Sequence, residues 1–598
     1  MRARRLRPLL LLAAALPLAG WRCPGPVLPA VAAAALVERV GAWERFETRG
    51  QVWADYENPF DPAQVYLTGE FCAPDGTIVR MPGFATREYR RTLVGGAEEL
   101  APAGPLHWAV RFTPTEPGDW SWRWSVSTRN GVARTPWRPF EVDPPAAGRH
   151  GFLRPSPLDP RDLRFDDGTP YVAFGENTGW YDARGSFAYD DWFAQLAAQG
   201  ANAARVWMPS WAFGLEWIVR APDGTVASSS LGDYRARLGR AWQLDRVFEA
   251  AERHGIHLVL CIQNHGPFSL EANSEWADNP YNAANGGPLV EPTGIFTDPA
   301  ARALFLRRLR YVVARWGSSP HLLAWELWNE VDLVASGPAV QTWHAETARW
   351  LHELDPYDHP ITTSLARGDT AGLWALPEIE LVQIHHYAYP LGIDIPTVLA
   401  GRLAAQRAAH PGKPQLVGEY GTDYRGPAET LALDPESIGF HHGLWAGLLG
   451  GGFGTGLSWW WDNLVDPEDL YFHFRPLAVL VDGIAFDAQG FAPVRPPASA
   501  PGRALAAYAL RGTDVVLAWV QNVAHQWLLP PLPGPNPVPV EDATLALDGL
   551  ADGAWTARWI DAYTGEDLAG EPVQISGGAV VLAVPTFARD VALRMERD

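Results

Sequence analysis

Residues 322–330 read LLAWELWNE, an apolar run of strand length that ends in an adjacent amide and carboxylate, Asn329 and Glu330. Short apolar strands without polar alternation belong to parallel sheets buried on both faces. Seven more runs of this kind lie around it: PYVAFGEN (170–177), ANAARVWM (201–208), IHLVLCIQNH (256–265), PITTSLA (360–366), LVQIHHYAY (381–389), PQLVGEYG (414–421) and GLSWWWDN (456–463). Amphipathic stretches separate them. RAWQLDRVFEAAERHG (240–255) and ARALFLRRLRYVVARWG (301–317) each close on glycine, the residue that caps helix C-termini. Strand–helix alternation of this length predicts a (β/α)8 TIM barrel over residues 151–485. A doubly wound open sheet would carry a glycine-rich phosphate turn after its first strand, and FGENTGW (174–180) is not one.

The flanks have a different period. Residues 37–145 contain short alternating runs such as QVWADYE (51–57), PAQVYLTGEF (62–71) and GDWSWRWSVS (118–127), punctuated by glycine and proline. They predict an immunoglobulin-like β-sandwich. A proline-rich linker, PPAAGRHGFLRPSPLDP (144–160), follows it. Alternation returns in ALAAYALRGTDVVLAWVQN (504–522) and AWTARWIDAYTG (554–565), predicting a second all-β sandwich over 490–598. The expected architecture is a multidomain TIM barrel between two sandwich-type β domains. Residues 1–32 read as an export signal, with basic MRARRLRP ahead of apolar LLLLAAALPLAG and a small-x-small site at Ala30-Val31-Ala32. A secreted protein is expected, with an uncleaved N-terminal anchor as the competing reading and no other membrane insertion.

Composition removes several chemistries. The sequence holds one lysine, Lys413, followed by Pro414, so no Walker phosphate loop is present. Schiff-base chemistry would rest on that residue alone. A formal charge of −20 opposes binding to nucleic-acid backbones. Apart from Cys23 in the export segment, Cys72 and Cys261 are the only cysteines, too few for a disulfide framework or a four-cysteine zinc site. No His-Glu-x-x-His or His-x-His motif occurs, and neither a metal nor another cofactor is expected. The segment GLSWW (456–460) lacks the last glycine of a serine nucleophile elbow.

Reacting groups in a barrel sit where strands end. Those positions hold Glu176 and Asn177, Arg205, Asn264 and His265, Asn329 and Glu330, His385 to Tyr387, Glu419, and Trp459 to Asp462. Glu330 and Glu419, from the fourth and seventh strands, would face each other across the barrel mouth. Two carboxyls about 5–5.5 Å apart are what retaining glycoside hydrolysis requires. One attacks the anomeric carbon. The other, its pKa expected to be raised by the neighbouring charge, protonates the leaving oxygen and later deprotonates water. Trp180, Trp207, Trp211, Trp217 and Trp276 could stack on sugar rings, and the long segment 264–294 should wall one side of the cleft. Glu326 lies deeper in the fourth strand, and Glu176 reads as a sugar ligand or a partner of Arg205.

These motifs resemble the clan A glycoside hydrolases, which include cellulase-like and mannanase-like families. WELWNE is similar to their fourth-strand Asn-Glu, LVGEYG to their seventh-strand nucleophile motif and IHHY to their sixth-strand His-x-Tyr. The resemblance implies Glu330 as acid/base and Glu419 as nucleophile. It also implies substrate-side roles for Arg205, Asn329, His265 and His385, a hydrogen bond from Tyr387 to the nucleophile, and a subsite floor from Trp460 or Trp461. Val331 departs from the proline that follows this glutamate in many endoglucanases. The expected activity is retaining hydrolysis of a polysaccharide or oligosaccharide. The alternatives are a non-catalytic carbohydrate-binding cell-surface protein and a transglycosylase using the same residues.

Overall fold

The computed structural model of the chain describes residues 28–369, 372–390, 392, 394–527 and 537–598. The export segment expected at 1–32 therefore lies almost wholly outside the described residues. Its expected cleavage point does not. Ala30, Val31 and Ala32 open a strand, Ala30–Ala35, paired antiparallel with Phe46–Trp53. The backbones approach closely there: a Cβ on Gly50 would sit 2.0 Å from the Ala32 carbonyl oxygen. Cleavage after Ala32 would remove half of this strand.

Two antiparallel sheets make the N-terminal sandwich. One orders Ala30–Ala35, Phe46–Trp53, His107–Phe112 and Phe84–Thr86; the other is centred on Gly118–Thr128, which pairs with Val65–Cys72 and Arg138–Asp143. The alternation of DWSWRWSV is expressed directly, with Trp120, Trp122, Trp124 and Val126 inward and the polar residues between them half-exposed. Phe71 stacks on Phe112 and Phe46 on Phe140, each at 4.0 Å between centroids, filling the space between the sheets.

The barrel strands run parallel and in sequence order: β1 (Gly175–Asn177), β2 (Ala203–Trp207), β3 (His257–Cys261), β4 (Leu322–Glu326), β5 (Ile361–Leu365), β6 (Leu381–Tyr387) and β7 (Gln415–Gly421). Residues of β2 to β5 are all buried, which explains why these strands show no alternation of apolar with exposed polar residues. Seven strands, not the expected eight, form a continuous ladder. The eighth stave, residues 454–459, joins β1 and β7 through isolated bridges at Gly454 and Ser458 and through backbone bonds such as Asn177 N to Ser458 O at 3.0 Å. Glycine-rich GGGFGTG (450–456) is the cause, because it favours close approach over a regular ladder. A Cβ on Gly447 would sit 2.1 Å from the Gly456 nitrogen.

The helices are α1 (Phe187–Ala198), α2 (Leu238–His254), α3 (Pro299–Trp316), α4 (Pro338–Leu354), α5 (Ile395–Ala409), α6 (Pro427–Leu433), α7 (Ile438–Leu449) and α8 (Phe474–Val481). Arg111 of the N-terminal sandwich and Arg315 of α3 both clamp Asp245 of α2, at 2.9 and 2.7 Å. Burial alone would raise the Asp245 carboxyl, and the two guanidinium groups override it, holding it far below the carboxylate range.

The C-terminal module pairs a six-stranded sheet, containing Leu505–Arg511, Val515–Asn522 and Asp590–Arg597, with a three-stranded one. Val515–Asn522 is buried on both faces. Val516 and Ala518 enter the module's own core, while Leu517 and Trp519 join the barrel core. α7 lies between barrel and sheet, and every one of its residues is buried. His441 and His442 are thus packing residues in this layer, away from the barrel mouth.

Candidate active site

Arg205 rises from β2 into the barrel interior with no exposed surface. Its Nε and Nη2 bond both oxygens of Glu326 at 2.7 and 2.8 Å. Nη2 also donates to Asn329 Oδ1 at 2.7 Å, and Nη1 donates to Asn177 Oδ1 at 3.0 Å and Glu419 Oε2 at 3.2 Å. These bonds match the five N–H donors a guanidinium has. Arg205 therefore has nothing left for a substrate, and the substrate-binding role expected of it is corrected to that of a hub beneath Glu419. Glu326 supplies the compensating charge. Asn177 is fixed in turn, its Nδ2 donating to the carbonyls of Gly418, Leu457 and Ser458.

Glu419 is 5% exposed. Its Oε2 accepts from Arg205, and its Oε1 accepts from the phenolic hydroxyl of Tyr387 in a short bond. Glu330, just beyond β4, adopts a left-handed backbone with φ 51°, and its N–H donates to Ser364 Oγ at 3.0 Å. A non-glycine residue held there is strained, and the strain sits at the position that turns the carboxyl into the mouth. His385 spans the pair: its Nδ1 lies 3.0 Å from Glu330 Oε1 and 3.5 Å from Glu419 Oε2. One oxygen from each glutamate and a ring nitrogen of His385 all lie within 4.8 Å of one another.

Burial pushes the Glu330 carboxyl up; His265 opposes the shift and Asp332 adds to it. The neighbouring negative charge expected to raise it contributes through Asp332 and Glu326, but desolvation is the main cause. Burial also pushes Glu419 up, with His385 and Arg205 opposing and Glu330 adding. The two differ in what holds them. Glu419 accepts from a guanidinium and a phenol, which favour its charged form, whereas Glu330 has only imidazoles as side-chain partners. His385 is driven down to about 4 by burial against the pull of Glu419, and so is neutral near pH 7. Gln383 Nε2 faces its Nε2 at 3.4 Å, which leaves the proton on Nδ1, directed at the carboxyls.

A cleft of about 1400 Å³ opens over this pair, lined among others by His265, Glu330, His385, His386, Tyr387, Glu419 and Trp460. Asn329 is fully buried beneath it, with Oδ1 taken by Arg205 and Ser364 and Nδ2 facing His265 Nδ1 at 3.1 Å. It does not line the cleft, so its expected contact with substrate is corrected to a supporting one. Trp461 is also corrected. Trp460 takes a left-handed turn with φ 68°, which breaks strand alternation and sends Trp461 inward against Gly179 and Trp180. Trp459 lines the cleft instead, with Trp180, Trp207 and Trp211 beside it. Trp217 and Trp276 fall outside it. The segment 264–294 does wall one side, through His265, Glu271, Asn273 and Glu275. Glu176 is neither a sugar ligand nor a partner of Arg205: it is fully buried, does not line the cleft, and neither carboxyl oxygen has a hydrogen-bond partner among the described residues.

Sequence reasoning missed Ser364, which bonds the Glu330 N–H and Asn329 Oδ1, and Asn273, Arg402, Tyr424 and Arg425, which line the cleft. Loop arginines and tyrosines carry no motif, and Ser364 lies inside an ordinary strand. Glu330, His385 and Glu419 are, among the described residues, the one group placed closely enough to hold a metal ion. The guanidinium 3.2 Å from Glu419 works against a cation there.

A family model described as a domain of unknown function, DUF5060, matches residues 39–127, the N-terminal sandwich. The chain is 28% identical over 204 residues to the mannan endo-1,4-beta-mannosidase F of Aspergillus fumigatus, covering 30% of this chain and 43% of that protein. It is 29% identical over 187 residues to mannan endo-1,4-beta-mannosidase 3 of Oryza sativa subsp. japonica, covering 29% of this chain and 36% of the relative. The chain spans 59% of the length of a further relative from Aspergillus flavus. A Bacteroides vulgatus structure assigned as a glycoside hydrolase superposes with TM-score 0.60 at 17% identity, covering 94% of this chain and all of that one. A family 5 glycoside hydrolase from the same species superposes with TM-score 0.50 at 14% identity, covering 75% of this chain and 94% of its own. The barrel with its two flanking β modules has the fold of the clan A, cellulase-like glycoside hydrolases.

Proposed function

We propose that the chain is a retaining β-glycoside hydrolase acting on a polysaccharide or oligosaccharide, exported from the cell that makes it. The observation that carries this reading is the carboxyl pair. Oxygens of Glu330 and Glu419 lie within 4.8 Å, close to the spacing of a double-displacement site and too close to admit water between them as an inverting mechanism needs. Glu419, charged and held by Tyr387 and Arg205, attacks the anomeric carbon. Glu330, whose carboxyl burial pushes toward its protonated form, gives its proton to the leaving oxygen. In the second half it takes a proton from water, which then displaces the sugar from Glu419. His385 Nδ1–H follows the charge as it passes between the two carboxyls, and Trp459 and Trp460 offer apolar faces for the sugar ring.

The names of the sequence relatives make β-1,4-mannan the first polymer to assay, beside β-glucans, galactans and xylans. The test is turnover of that panel by the full chain and by Glu330→Gln and Glu419→Gln. General acid/base and nucleophilic groups each contribute on the order of 10²–10⁴-fold or more, so both variants should lose at least that much. Wild-type rates in either variant would remove the assignment.

A further inference from the structure

The walls of the cleft are divided by chemistry. Trp180, Trp207, Trp211 and Trp459 stand on the half built from β1, β2 and the eighth stave. Trp207 and Trp459 are 5.0 Å apart between centroids, and Trp180 lies 5.6 Å from each. The acidic residues of the rim, Glu271 and Glu275, adjoin this half through the segment after β3. The opposite half, after β5, β6 and β7, presents Arg367, Arg402 and Arg425. Arg425 is already neutralised: it forks onto Asp423 at 2.6–3.0 Å and lies 3.7 Å above the Tyr389 ring.

Arg367 and Arg402 are different. Among the described residues neither has a carboxylate within the 4.0 Å of an ion pair. Arg402, on α5, is half-buried, and its one hydrogen bond is from Nη1 to the carbonyl of His385. The charge is poorly compensated, as the lowering of its pKa by burial shows, with only Asp332 opposing. Beside it stands His386, which lines the cleft, is 7% exposed, and has no partner for its Nε2. Burial and Arg402 drive His386 down to about 4, so it stays neutral and can donate a proton from the ring without adding charge. A chain of net charge −20 thus keeps unpaired guanidinium groups and an unpartnered imidazole on one wall of its cleft. A buried polar group without a partner is costly, and the cost is removed when a ligand supplies the acceptor.

We propose that Arg402, Arg367 and His386 form a subsite for the carboxylate of an acidic sugar, so that the glycan carries uronic acid residues on the β5–β7 side of the cleft. This rests on the glycosidase reading and deepens it. The planar fork of arginine fits a carboxylate through two parallel bonds, and the exposed Arg367 adds charge at the rim. The acidic rim on the tryptophan half would repel the same group, which fixes the orientation of the chain in the cleft.

Ligand-observed NMR on the full-length wild-type chain tests this with glucuronate, galacturonate and mannuronate against glucose, galactose and mannose. The expected result is that at least one uronate binds about tenfold tighter than its parent sugar, the value of one charge-assisted hydrogen-bonded pair. The preference should shrink as salt rises from about 0.05 to 0.5 M and collapse in Arg402→Gln and in Arg367→Gln, the latter an exposed residue. Equal binding of neutral sugars, a preference that survives both substitutions, or equal competition by glucose 6-sulfate would overturn the assignment to a carboxylate. The outcome is independent of turnover. A uronate site in a chain that hydrolyses no glycan would refute the glycosidase reading alone, and hydrolysis of neutral glycans without uronate preference would refute the subsite alone.

Discussion

The hydroxyl of Tyr387 donates to Oε1 of Glu419, on the opposite side of the carboxylate from the guanidinium of Arg205. The two donors come from opposite walls, β6 and β2, and leave the carboxylate with one orientation toward the mouth. Burial raises the pKa of Glu419, and the Tyr387 bond is one of the groups that lower it again.

Tyr387→Phe removes that donor. The Glu419 pKa must then rise, so the acid limb of the pH profile of kcat/KM should move to higher pH. The rate at its optimum should fall about 10–100-fold, since a charge-assisted hydrogen bond contributes about 1.5–3 kcal/mol. A profile whose acid limb stays in place would show that the phenol does not act on the nucleophile.

Asp245→Asn leaves the side chains of Arg111 and Arg315 buried without their shared carboxylate. Breaking a buried pair of this kind costs about 3–5 kcal/mol, and here the loss falls at the contact of the N-terminal sandwich with α2 and α3. Thermal unfolding should show a lowered transition. An unchanged transition would mean that the network does not hold the two modules together.

The layer between α7 and the C-terminal sheet sets a pH limit on stability. His441, His442, His473 and His525 are all buried, and burial lowers each of their pKa values, that of His442 to about 3. Asp590, bonded to His441 and to the Trp519 indole, is pushed up by burial to about 6, with Arg589 and Asp561 nearby. A lowered histidine pKa means that the unfolded chain binds protons that the folded one refuses. Stability from these groups is therefore present above about pH 6.5 and lost as pH falls. The slope is about 1.4 kcal/mol per pH unit for each histidine that takes a proton only on unfolding. The raised Asp590 pKa has the opposite sign and offsets part of the loss below pH 6. Calorimetry between pH 7.5 and 4.5 should show a falling transition, and a transition that rises on acidification would contradict the assignment.

The barrel was legible because β2 to β5 are buried on both faces and each is bounded by turn residues, a pattern that few other folds write. Glu330 and Glu419 were legible because each lies near the C-terminal end of an apolar run beside a small or amide residue, in WNE and GEY. What could not be read was direction within a layer. Trp459, Trp460 and Trp461 are consecutive, and strand alternation would place the first and third together. The left-handed turn at Trp460 overrules this, and nothing in SWWWD announces it. Arg205 and Asn329 were recognisable as site residues but not as fully buried ones, because their saturation by Glu326, Asn177 and Ser364 depends on contacts between separate strands. Arg402 and Arg367 lie on a helix and a loop with no motif, so only the assembled cleft shows them facing the same space.

The central claim is that Glu419 attacks the anomeric carbon and that Glu330 acts as acid and then base. Proton NMR of the sugar first released by the wild-type chain, recorded before mutarotation, tests it most directly. A first product with the anomeric configuration of the substrate is the result predicted for double displacement at a carboxyl pair within 4.8 Å. A first product of inverted configuration would contradict the account, since it would require water to attack directly where Glu419 is held.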